Sequence, residues 1–148
     1  MAMATDSASS VPGIDLAAPL TTDQDLVCRV DRLLDQDSRR HRSLWLLFLS
    51  GDGVQLPVVV PIDDVPERPD GLLVDNLCDV IAEVLDDAAP AGSAVVTLAR
   101  PGDAATDDTD RHWFQALHAA ALRRGAAIRL ICLATPAGVR QLTIDDAG

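Results

Sequence analysis

Residues 98–110 read LARPGDAATDDTD, and they place several ionisable side chains between an apolar run and a helix pattern. Four aspartates (Asp103, Asp107, Asp108 and Asp110) and one arginine, Arg100, fall within this stretch. A phosphate cradle needs several glycines so that successive backbone N–H groups can close on the anion. Gly102 is the one glycine here, and the aspartates repel phosphate. A serine hydrolase elbow, GxSxG, is absent. Ser43, Ser50 and Ser93 flank apolar runs with no histidine in register. His112 and His118 lie about 240° apart around one helix, so they cannot share an ion as an i,i+4 pair does. His41 sits in a basic run, residues 39–42, that reads RRHR. That run is either a linker whose charges pair with nearby aspartates or an anion contact made by Arg39, Arg40 and Arg42.

The cysteines, Cys28, Cys78 and Cys132, are widely spaced among apolar residues and form no CxxC. They read as buried thiols in a reducing cytoplasm. Nothing in these residues requires a metal, a cofactor or a catalytic group. The net charge of −11, from 23 acids against 12 arginines and no lysine, opposes nonspecific nucleic-acid binding. No run approaches the roughly 18 apolar residues of a membrane span. The N-terminal stretch lacks the charge and apolar core of a signal peptide.

The surrounding elements must position the loop. Thr21 and Gln24 have capping-box spacing and predict a helix over 22–36, with Leu26, Val27, Val30, Leu33 and Leu34 on its apolar face. Residues 44–49 and 54–60 are apolar runs around Ser50-Gly51-Asp52-Gly53, which predicts a hairpin. The first run is apolar on both faces and belongs in the centre of a covered sheet. Pro57 makes the second an edge strand or a bulge. Pro61, Pro66 and Pro69 then mark a stiff loop.

A helix over 72–87 turns Leu73, Leu77, Ile81 and Val84 inward, with Val74, Cys78, Val80 and Leu85 beside them. Asp75, Asp79, Glu83 and Asp86 form its acidic outer stripe. A strand over 93–98 leads into the loop, and a helix over 107–124 leads out, stopped by Gly125. Asp110, Phe114, Leu117 and Ala121 share its inner face. Strands over 128–135 and 139–143 complete the order α-β-β-α-β-α-β-β. This is an α/β domain, a mixed sheet of about five strands covered by helices in three layers. The expected divisions are a flexible tail over 1–20, one domain over 21–144 and a short tail over 145–148.

Residues 44–143 resemble the JAB/MPN fold, especially its RadC branch. In that family the strand after the first helix ends in His-x-His-Pro, and an aspartate about ten residues on completes a zinc site. Pro101 matches the family's proline, Gly102-Asp103 its Gly-Asp, and Asp110 its ligand aspartate. Leu98 and Arg100 stand where the two histidines belong, and no glutamate before the hairpin matches the family's general base. One aspartate cannot hold a catalytic zinc, which takes about three protein ligands. The resemblance therefore implies a metal-free scaffold without hydrolase chemistry. Arg100 either replaces the metal by pairing with Asp110 or Asp103, or points to solvent while Asp110 complements the helix dipole.

Two functions fit. One is a non-catalytic protein-binding or regulatory module. It would act through the acidic helix or the sheet edge near 54–60, with a second copy as one candidate partner. The other is an enzyme or small-ligand domain with its site at the strand ends near Arg100 and Asp110.

Overall fold

The computed structural model describes residues 17–143. The expected tails over 1–20 and 145–148 fall largely outside that span. The elements are α1 (Asp23–Leu33), β1 (Ser43–Leu49), β2 (Gln55–Asp63), α2 (Gly71–Ala88), β3 (Ser93–Ala99), α3 (Asp108–Arg124), β4 (Ile128–Thr135) and β5 (Gly138–Leu142), with one 3-10 turn at Asp37–Arg39. The expected element order is the one found. The sheet order is β2-β1-β3-β4-β5. Only β3 and β4 run parallel, and α3 supplies the crossover that a parallel pair needs.

The alternation of side chains along each strand builds two cores. Leu44, Leu46 and Phe48 of β1, with Val96, Leu98 and Leu133, pack under α2 and α3. Leu47, Leu49, Val95, Leu130 and Cys132 point the other way and pack under α1. β1 pairs with both β2 and β3, and its two faces lie in the two cores, so neither face carries a charge. Gly92 is fixed by close approach, since a Cβ there would lie 2.0 Å from the Leu49 carbonyl oxygen.

Five local expectations need correction. The cap of α1 is Thr22 with Asp25, not Thr21 with Gln24. A carboxylate outcompetes an amide as acceptor, and Asp25 Oδ2 takes the N–H groups of both Thr21 and Thr22 at 3.1 Å. The helix stops at Leu33 rather than 36, because Asp35 captures the Ser38 N–H and starts the 3-10 turn. β2 continues through Pro61, which pairs with Trp45, where the sequence indicated a loop. An edge strand tolerates proline, since alternate N–H groups point away from the sheet. β2 is indeed an edge, and its register slips around Pro57. On α2 the buried stripe is Val74, Leu77, Cys78, Ile81 and Leu85, while Val80 is exposed. Finally, Leu20 is no free tail residue: its N–H donates to the Gly53 carbonyl at 2.8 Å.

Ion pairs tie α3 to α2. Arg123 reaches Asp75 at 2.6 Å and Arg124 reaches Asp79 at 2.6 Å, so half of the acidic stripe is engaged. Hydrogen bonding from Arg124 holds the Asp79 carboxyl below its ordinary value. Backbone N–H groups, of Thr22 and of Ser38 respectively, do the same for Asp25 and Asp35. A depressed folded-state value gives stability that is present above the unfolded value, about 4, and is lost as pH falls through the folded value. Acid titration followed by circular dichroism should therefore show melting temperatures that are flat near neutrality and fall below about pH 4. A melting temperature that is flat down to pH 2 would remove these carboxylates from the account.

Candidate functional site

Arg100 follows β3 directly, and its N–H donates to the Ala134 carbonyl at 3.0 Å, which continues the ladder for one residue. Strand alternation puts it on the face of Ala94, Val96 and Leu98, beneath the start of α3. Gly102 then turns the chain at a φ of 98°, in the left-handed region, with Arg100 Nη1 only 3.1 Å from where a Cβ would sit. The loop folds back around the guanidinium.

The result is a saturated arginine. Nε donates to Asp110 Oδ1 at 2.9 Å, and Nη2 donates to Asp110 Oδ2 at 2.7 Å. Nη1 donates to the carbonyls of Pro101 at 2.9 Å and Asp103 at 3.0 Å, and Nη2 to that of Ala105 at 2.9 Å. An arginine has five N–H donors, and all are used. Arg100 is 4% exposed and Asp110 1%. Hydrogen bonding to Asp110 holds the guanidinium above its already high ordinary value, so it stays charged.

Asp110 serves two structures at once. It is the third residue of α3 and closes a capping box with Asp107, whose N–H donates to Asp110 Oδ2 at 3.1 Å. Of the two sequence alternatives for Arg100, pairing with Asp110 is the one found. Asp103 contributes its main-chain carbonyl, while its carboxylate accepts from the Ala105 N–H at 3.0 Å. Arg140 of β5 clamps the same loop through the Ala104 carbonyl at 2.9 Å and the Thr106 hydroxyl.

Such a site has little chemistry to offer. The void beside Arg100, Asp110, Leu98 and Trp113 measures about 10 Å³, at or below what one water needs. Both oxygens of Asp110 already accept charged or backbone donors, and the Arg100 guanidinium occupies the space beside them. The donor set does not fit zinc. Among the described residues no three His, Cys, Asp or Glu side chains converge on a metal-sized site. The histidines are separate: His41 lies 3.3 Å from Asp63, His118 stacks on Phe114, and His112 is exposed. Ser43 is buried and accepts from Trp45 Nε1 at 3.0 Å, and Ser50 caps the hairpin turn.

The basic run 39–42 does not form one surface. Arg39 is 2% exposed and sits in the core, where it donates to the carbonyls of Thr135 at 3.0 Å, Leu34 at 2.7 Å and Asp31 at 3.1 Å. Arg40 is exposed beside Asp37, and Arg42 is half-buried next to Ser43. Arg39 is therefore withdrawn from any anion contact by its burial. Cys28 is exposed, against the expectation of three buried thiols, whereas Cys132 is buried and its thiol is pushed up to about 12 by desolvation.

Sequence reasoning also missed two features. Arg29, on the buried face of α1, donates to Gln55 Oε1 at 2.5 Å inside the protein. Its signal was a charge interrupting the apolar stripe of Leu26, Val30 and Leu33. The other is a groove of about 480 Å³ between α3 and the β4–β5 pair. Comparison with protein-family models, curated proteins and solved structures gave no match.

Proposed function

We propose that this chain is a non-catalytic protein-binding or regulatory module, built on a metal-free scaffold of the JAB/MPN kind. The observation that carries the reading is the saturation of Arg100. The strand ends of an α/β sheet are where ligands usually bind. In this chain that position is filled from within by an ion pair and three carbonyls. A substrate or metal there would have to displace a buried bidentate pair, at a cost of several kcal/mol. The alternative, an enzyme or ligand domain with its site near Arg100 and Asp110, meets a void of only about 10 Å³ directly beside that pair. No described helix is long and apolar enough to cross a membrane. The three free thiols support a reducing compartment such as the cytoplasm.

Metal analysis tests the reading. Protein expressed in zinc-supplemented medium should carry no stoichiometric zinc, and EDTA should leave its melting temperature unchanged. One zinc per chain, released with loss of stability, would overturn the proposal.

A further inference from the structure

Residues 64–69, the sequence DVPERP, join the end of β2 to the start of α2. Both ends of the segment are fixed. Asp63 pairs with Ser43 of β1, and Asp70 caps α2 by accepting the Leu72 N–H at 2.9 Å. The residues between are held differently. Among the described residues, no backbone–backbone hydrogen bond involves them. Pro66 and Pro69 have no N–H to give. One side chain supplies the bonds that hold the segment: Trp113 Nε1 donates to the carbonyls of Pro66 at 3.2 Å and Glu67 at 3.0 Å.

Packing adds one anchor. Asp64 takes a φ of 58°, in the left-handed region, and Val65 after it packs against the core under α2 and α3. Val65 also closes one side of the void of about 10 Å³ beside Arg100 and Asp110, and the buried Trp113 lines the same void. Asp64, Pro66, Glu67 and Arg68 are exposed. A segment with few buried contacts and few hydrogen bonds opens at a lower free energy than the elements that flank it. Opening this one breaks no bond of the Arg100 guanidinium, because those bonds go to Asp110 and to the carbonyls of Pro101, Asp103 and Ala105.

We infer that residues 64–69 form a strap, pinned by Trp113 and Val65, that opens as a unit while the rest of the domain stays folded. Closed, it seals the strand end. Open, it widens the void beside Arg100 and Asp110 and uncovers the Trp113 indole, with Arg42 at the rim. The strand end thus has two states, and the indole N–H reports which one is occupied. It bonds to the strap in the closed state and to water in the open one. The strap does not depend on the protein-binding reading: stoichiometric zinc would overturn that reading and leave the strap standing.

The test is hydrogen exchange followed by nuclear magnetic resonance on the full, isotope-labelled chain. The chain has two tryptophans, and Trp45→Phe assigns the indole signal of Trp113. Exchange at the Trp113 indole should be independent of urea below the unfolding transition. The amides of β3, in the centre of the sheet, should instead exchange faster with each increment of urea. Val65→Ala should speed indole exchange about tenfold, because the strap loses its apolar anchor. Val30→Ala, in the core under α1, should speed the β3 amides and leave the indole rate unchanged. Indole exchange that rises with urea in step with β3, that ignores Val65→Ala, or that follows Val30→Ala would each overturn the inference.

Discussion

Replacing Arg100 with alanine is expected to lower the unfolding free energy by about 3–5 kcal/mol, the usual cost of removing one partner of a buried ion pair. Two effects combine. Asp110, at 1% exposure, loses its fork and is left as a buried polar group without its partner. The carbonyls of Pro101, Asp103 and Ala105 lose their common donor, and the loop loses the centre around which it folds. In a chain of this size 1 kcal/mol moves the melting temperature by about 2–4 °C, so the fall should be on the order of 10 °C. Arg100→Lys should recover little, since a point ammonium cannot replace a planar fork that serves four acceptor groups. Removing Asp110 instead should cost a similar amount, because the same fork is broken and the cap of α3 is lost with it. A double-mutant cycle should give a coupling of about 1–3 kcal/mol between the two. An Arg100→Ala protein that melts with the wild type would mean that the loop holds itself without the guanidinium.

The second large effect is expected at Arg39. Its side chain joins the end of α1, through the Leu34 and Asp31 carbonyls, to the end of β4, through that of Thr135. Arg39→Ala leaves these acceptors unpaired and opens a cavity, at an expected cost of about 2–4 kcal/mol. Its ion pair with Asp31 adds little, because that carboxylate is 54% exposed and solvent screens it. Arg40→Ala, at the exposed neighbour, should change stability by less than about 0.5 kcal/mol. Chemical denaturation of the pair separates a core arginine from a surface one. Equal, small effects at both positions would restore the reading of 39–42 as a solvated linker.

These two arginines mark the boundary between what can and cannot be read from the chain. Periodicity is a local property, so a window of ten residues carries it. Apolar residues on both faces of 44–49 set a central strand, Pro57 set an edge, and Gly125 set a helix stop. Asp110 was legible as a first-turn, inward-facing carboxylate, and Arg100 as a candidate partner for it at the end of the preceding strand. By itself, then, the sequence determined the order of the elements, the two-sided covering of the sheet and the residues placed at the strand end.

Tertiary structure decided what those residues touch. Arg39 and Thr135 are 96 residues apart, and no local pattern states that they meet. A basic run looks solvated by composition, yet one of its members is a core staple, because a single 3-10 turn aims it inward. The groove joins Phe114 and Leu122 of α3 to Leu142 of β5, a juxtaposition that no local pattern states. Charges become partners only when the path of the chain brings them within a few ångströms, and that path is fixed by the packing of whole elements. The sequence therefore named the arginine in the loop, and only the fold committed all five of its donors.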